Sequence, residues 1–207
     1  GCSDFSLSEY TCCDTKGIEN FALQTEEKEY VIPILKDILA INPTIKILGS
    51  PWTCPKWMKV NNLEEKKPFD SWTSGQLNPD YYQDYATYFV KWIEAFRNEG
   101  IDIYSVTPQN EPLNRGNSAS LFMGWKEELA FVREVAAAFL TGAAYHNYGG
   151  RREELNNIQQ KRPDKELIFT ETSIGMWNDG RNLEKRLMED MREVALGTVN
   201  NWCKGVI

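Results

Sequence analysis

Apolar residues recur along this chain in two alternating periods, one helical and one extended. Between Glu26 and Ile41, Val31, Ile34, Leu35, Ile38 and Leu39 share one helical face with charges opposite. Pro33 is expected to kink the first turns, and Asn42-Pro43 to end the helix. A short strand, Ile45–Gly49, follows, then a loop rich in Trp and Pro from Ser50 to Lys59. Asn78-Pro79 has the form of an N-cap with a first-turn proline. The helix it opens carries Tyr81, Tyr85, Phe89, Trp92, Ile93 and Phe96 as its apolar stripe, with Gly100 as its exit. Ile101–Val106 reads as the next strand. Lys126–Leu140 reads as a helix with Leu129, Val132, Val135, Ala136 and Phe139 inward, and Gly142–Tyr148 as a strand. A helix near Arg152–Gln160, a strand over Leu167–Thr170 and a helix over about Leu183–Trp202, ending near Gly205, complete the series. Val206-Ile207 reads as the start of a further strand. Residues 1–24 are polar and read as a long loop.

Strands alternating with amphipathic helices predict a parallel sheet covered by helices, closed as a barrel or left open. Four strands are complete or nearly so, whereas an eight-stranded barrel usually takes about 250 residues. On that count the 207 residues form a partial barrel. Gly149-Gly150 follows a strand but lacks the glycine spacing of a nucleotide-binding turn.

Composition narrows the function classes. A formal net charge of −7, with no basic run, argues against nucleic acid as a partner. Seven Trp and nine Tyr are mostly packing residues, and a minority on loops suits sugar faces. The five cysteines, Cys2, Cys12, Cys13, Cys54 and Cys203, fit no metal spacing and read as buried structural thiols. No apolar run is long enough to span a bilayer, and no signal peptide is recognisable. The chain opens on Gly1 rather than Met, so its start reads as cut or processed.

Two glutamates stand where a β-then-α repeat keeps its chemistry, at the C-terminal ends of strands. Glu111 follows the strand Ile101–Val106 within Thr107-Pro108-Gln109-Asn110-Glu111-Pro112. Pro112 biases Glu111 towards an extended backbone, which could fix its side-chain direction. The alternative is a solvated or capping glutamate at a loop start, and the residues weigh both evenly. Asn110 is either a donor to a sugar hydroxyl or a turn residue. Glu171 directly follows Leu167-Ile168-Phe169-Thr170. A carboxylate there faces a functional cavity or an ion-pair partner, since burial without one is costly. His146, the only histidine, is as well explained by a hydrogen-bonded rim position as by substrate contact. Tyr148 could bond the second carboxylate and Trp52 could wall a sugar pocket, with packing as the alternative for each. For Trp57, Trp72 and Trp177 packing is the better reading. Two carboxylates are the minimum equipment for cleaving a glycosidic bond.

Together these motifs resemble glycoside hydrolase family 30, the group of glucosylceramidases and bacterial β-glucanases. The resemblance is carried by residues 1–6 (Gly-Cys-Ser-Asp-Phe-Ser) and 10–15, Ser50-Pro51-Trp52-Thr53-Cys54-Pro55-Lys56-Trp57-Met58-Lys59, Thr107–Pro112, Ala144-Tyr145-His146-Asn147-Tyr148 and Phe169-Thr170-Glu171. It implies an α/β fold of (β/α)8 TIM-barrel type. Glu111 is then the general acid/base, Glu171 the nucleophile and Asn110 the partner of the sugar 2-hydroxyl, while Trp52, His146 and Tyr148 line the pocket. The implied reaction is retaining hydrolysis of a β-glucoside, glucosylceramide-like or β-1,6-glucan, with a xylan-active relative or an inactive sugar-binding fragment as alternatives. No metal or organic cofactor is required, and no stable membrane insertion is implied. The family's substrates imply an extracellular, periplasmic or cell-surface location. Against the family's pattern the first barrel strand, most of the second, the eighth and the accessory β-sandwich are absent. A further strand and helix are expected between the helix ending at Leu140 and the strand starting at Gly142. The expected organisation is therefore an incomplete catalytic domain over residues 1–207 with an omitted segment near 140–142.

Overall fold

The computed structural model describes residues 9–116, 119–136, 142–149, 151–172 and 182–206, without the side chains of 134–136 and 142–143. The expectations for residues 1–6, Cys2, Phe139, the 140–142 junction apart from the strand that begins at Gly142, Gly150, Trp177 and Ile207 lie outside these residues, as do those for the side chains of Val135 and Ala136. The chain divides into two compact units, Gly1–Ala138 and Phe139–Ile207.

In the first unit, β1 (Ile47–Gly49) pairs in parallel with β4 (Ile103–Val106). The segment between them holds an antiparallel pair, β2 (Lys59–Val60) with β3 (Gln76–Leu77), that the apolar pattern did not reveal. Two-residue strands are too short to show a period.

Helix α1 (Ile32–Ile41) is preceded by a π-turn, Glu27–Val31. Pro33, expected to kink these turns, has no N–H to return to the preceding turn, and the backbone just ahead of it takes this wider form. The inward face of α1 is narrower than the expected stripe. Ile32, Leu35 and Leu39 pack inward, whereas Val31, Ile34 and Ile38, expected in the same stripe, are exposed.

Helix α2 (Tyr82–Asn98) opens as expected, with the Asn78 side chain accepting from the Asp80 N–H ahead of a 3-10 turn, Pro79–Tyr81. It closes at Gly100, whose φ of +80° is the left-handed cap a glycine allows. The Gly100 N–H donates to the Arg97 carbonyl and the Ile101 N–H to the Phe96 carbonyl, a Schellman pair sealed by contact of buried Phe96 and Ile101. Tyr85 and Phe89 enter the main core with Cys54, Met58, Leu77, Leu121 and Met123.

Helix α3 (Trp125–Ala136) joins that core through Phe131, which stacks on Tyr85 at 5.2 Å. Phe131 was not on the predicted face. Leu129 was, and it is exposed, because two residues along a helix is more than half a turn.

Lys59 is buried at 2 % exposure, and its ammonium donates to the carbonyls of Ser71, Trp72 and Ser120 at 2.9–3.0 Å. Three charge-assisted bonds offset the cost of burying the ammonium and tie the 71–77 and 119–123 segments together.

The second unit is a three-stranded parallel sheet in the order β5 (Gly142–His146), β6 (Glu166–Glu171), β7 (Cys203–Val206). Helix α4 (Glu154–Lys161) links the first two strands. The predicted last helix is α5 (Leu183–Asp190), a π-turn over Met191–Leu196 and α6 (Gly197–Asn200). It stops before Trp202, whose φ of +77° breaks it, and Cys203 to Val206 is strand rather than helix end. Leu155, Leu167, Phe169, Val194 and Cys203 form this unit's core.

Cys12, Cys13, Cys54 and Cys203 are free and buried, as the spacing suggested. Burial pushes the thiols of Cys12 and Cys54 up to about 12. The described strands form sheets of two, two and three strands, and no closed barrel is present among the described residues. No described helix is long and apolar enough to cross a membrane.

Candidate active site

The first unit carries Trp52, Asn110 and Glu111, and the second carries His146, Tyr148 and Glu171. In the first, β1 and β4 run side by side and hand over to two loops cross-linked at several points. Thr107 N–H donates to the Gly49 carbonyl at 2.9 Å, and the Ser50 and Thr107 hydroxyls lie 2.7 Å apart. Asn110 N–H donates to the Pro51 carbonyl at 2.8 Å. Gln109, which the sequence reading passed over, is buried, and its amide nitrogen donates to the carbonyls of Trp52 (2.7 Å) and Asn110 (2.9 Å). Its Oε1 is also buried and has no partner among the described residues. Trp52 lines a mainly apolar cavity of about 270 Å³ with Pro51, Trp92 and Phe96.

Glu111 does not take the extended backbone that Pro112 led us to expect. Its φ is +42°, a left-handed value that is unusual for a residue with a Cβ. The reason lies on both sides of it. The Asn110 N–H is fixed to the β1 loop, and the Asn114 N–H donates to the Glu111 carbonyl at 2.8 Å. That bond closes a turn with Pro112 at its second position, where proline is favoured. Met123 N–H then anchors the Pro112 carbonyl at 2.7 Å. The Asn114 side chain also donates to Glu111 Oε2 at 2.8 Å and accepts from the Gly116 N–H at 2.8 Å. Asparagine two residues before glycine is turn chemistry, so this residue was findable in the sequence.

In the second unit Glu171 is the last residue of β6 rather than the residue after it. Leu167 and Phe169 point into the core, so simple alternation would send Glu171 the same way. The ladder shifts register between Tyr145 and His146, so that His146 stands opposite Glu171. Such an irregularity re-aims a side chain. The Glu171 carboxylate is left partly exposed, accepting from the Tyr148 hydroxyl at Oε1 (3.0 Å). His146 Nε2 lies 3.8 Å from Oε2, and the His146 and Tyr148 rings meet edge to face at 5.8 Å. The Asn147 N–H donates to the Glu171 carbonyl at 3.0 Å and continues the ladder past β5. The three residues predicted here are thus neighbours. Trp57 is structural as expected, donating its ring N–H to the Cys13 carbonyl and packing on Tyr81.

Residues 1–129 match the family described as the glycosyl hydrolase family 30 TIM-barrel domain, and the chain belongs to that family. Among solved structures it resembles the endo-beta1,6-glucanase BT3312, with a TM-score of 0.94 and 63 % identity, over 100 % of this chain and 55 % of that one. It is 40 % identical over 114 residues to putative glucosylceramidase 4 of Caenorhabditis elegans, which is 53 % of this chain and 21 % of that protein. It is 32 % identical to putative glucosylceramidase 1 of the same organism over 258 aligned positions, 98 % of this chain and 48 % of the relative. The chain therefore spans from about a fifth to just over half of the length of these relatives.

Proposed function

We propose that the full-length protein hydrolyses β-1,6-linked glucan with retention of anomeric configuration. The observation that carries this reading is the 63 % identity, across all of this chain, to an endo-beta1,6-glucanase. The chemistry it requires is available in the residues described. Glu171 attacks the anomeric carbon and forms a glycosyl-enzyme, while Glu111 gives its proton to the leaving oxygen. Glu111 then takes a proton from water, which releases the sugar from Glu171. This double displacement needs the two carboxyl groups roughly 5–5.5 Å apart across the sugar. Tyr148, bonded to Glu171, and His146 hold the nucleophile in place and line the pocket. Asn110 takes the sugar 2-hydroxyl and Trp52 walls the ring. The reaction uses no metal or organic cofactor.

Residues 1–207 constitute part of a (β/α)8 catalytic domain, with a segment omitted near 140–142. The 258 positions needed to align 207 residues with the nematode relative support an interruption of this kind. A polymeric substrate places the enzyme outside the cytoplasm or at the cell surface. The fragment by itself is the one rival that an observation favours, because it spans only about half of its relatives.

The test is a substrate panel on the full-length protein, comparing β-1,6-glucan, glucosylceramide, an aryl β-glucoside and glucuronoxylan, with the first-formed anomer read by proton NMR. β-1,6-Glucan cleaved fastest, with the β-anomer appearing first, is the expected result. Preference for glucosylceramide or xylan overturns the substrate, and an initial α-anomer overturns the mechanism. Sugar binding without turnover of any substrate favours a binding protein.

A further inference from the structure

The turn after β4 holds Glu111 with more specificity than a merely exposed carboxylate needs. Asn114 N–H closes the turn onto the Glu111 carbonyl, and Asn114 Oδ1 is occupied by the Gly116 N–H. The next residue, Arg115, lays its guanidinium on the Phe122 ring at 3.6 Å, which pins the loop from outside. With Oδ1 engaged, the amide cannot turn over without losing a bond. Its NH2 group therefore faces Glu111 Oε2, 2.8 Å away.

An N–H that donates to one carboxyl oxygen biases the acid proton towards the other. The amide N–H bonds a carbonyl oxygen better than a hydroxyl oxygen, so its bond to Oε2 favours the O–H on Oε1. We propose that Asn114 is a positioning residue that keeps the acid proton of Glu111 on Oε1, the oxygen that serves the glycosidic oxygen. The proposal rests on the reading of Glu111 as general acid. The proton moves from Glu111 Oε1 to the leaving oxygen as the C–O bond breaks, and Asn114 stays bonded to Oε2 throughout.

Asn114→Asp is the informative variant. A carboxylate at this position still accepts from Gly116 N–H, so the turn is preserved. It cannot donate to Glu111, and it attracts the proton to Oε2, away from the substrate. The measurement is kcat/KM of the full-length enzyme on β-gentiobiosides, the β-1,6-linked glucose disaccharides, whose aryl leaving groups run from phenol to dinitrophenol. The expected loss is roughly 10- to 100-fold for the phenol glycoside, part of what general acid catalysis contributes. For dinitrophenol, which leaves without a proton, the value should stay within about twofold of wild type, because no general acid assistance is required there. Asn114→Ser, which keeps an acceptor near Gly116 but is too short for Glu111, should follow the same pattern.

Glu111→Ala separates the two levels of inference. A steep leaving-group dependence with azide restoring turnover upholds Glu111 as the acid. If that holds while both Asn114 variants lose activity equally on every leaving group, or lose none, the role of Asn114 is overturned alone. If Glu111→Ala itself shows no leaving-group dependence, the reading of Glu111 falls and the role of Asn114 falls with it.

Discussion

The two glutamates are presented by opposite means. Glu111 stands on a loop, with a left-handed backbone, and is fixed by bonds from Asn110, Asn114 and Met123 around it. Glu171 ends a strand, and the ladder to β5 with one register shift aims it. A loop carboxylate needs local devices, each a side chain or a tight turn, whereas a strand carboxylate inherits its position from the sheet. The loop arrangement stores strain, on the order of 1–3 kcal/mol for a left-handed non-glycine residue, and the surrounding bonds hold it.

The largest contrast is expected from the carboxylates themselves. Glu171→Gln in the full-length enzyme should lose roughly 10⁴-fold or more in kcat on every substrate, because no other described route forms the glycosyl-enzyme. Glu111→Gln should lose roughly 10²–10⁴-fold in kcat/KM, and only on poor leaving groups, whereas its kcat falls on good leaving groups as well because release of the glycosyl-enzyme loses its base. Steady-state kinetics on glucan and on a dinitrophenyl glycoside checks both. Equal losses in kcat/KM across substrates for the two variants would erase the distinction.

A smaller effect tests the supports. Gln109→Leu leaves the carbonyls of Trp52 and Asn110 without their donor, so urea unfolding should show about 1–3 kcal/mol of destabilisation. Tyr148→Phe removes one bond from a half-exposed group. It should change stability by less than about 0.5 kcal/mol while slowing turnover roughly tenfold. A Tyr148→Phe enzyme that is markedly unstable, or a Gln109→Leu protein of unchanged stability, would reverse the assignment of which side depends on local devices.

The same contrast explains what the sequence made legible. The two ends of helix α2 and the core of its buried face could be read, because its cap, stripe and Schellman exit are all local. Strands β1, β4, β5 and β6, and the placing of the two glutamates after β4 and at the end of β6, followed from alternation with helices. The faces of α1 and α3 were partly misread. The buried face of α1 is narrower than its apolar run, and the aromatic cluster of Tyr82, Tyr85 and Phe89 recruits Phe131 on α3. The β2–β3 pair is too short to carry a pattern. The left-handed Glu111 and the shifted His146 register come from long-range bonds, to Pro51 and across to β6, which no local window contains. Asn114 and Gln109 were in view as residues, but their bonds depend on the fold.

The most direct measurement is covalent trapping. A 2-deoxy-2-fluoro β-gentiobiosyl donor slows release of the glycosyl-enzyme, and peptide mapping by mass spectrometry locates the label. The label should fall on Glu171 and be absent from the Glu171→Gln protein. A sugar found on Glu111, or on any other side chain, contradicts the division of roles between the strand carboxylate and the loop carboxylate.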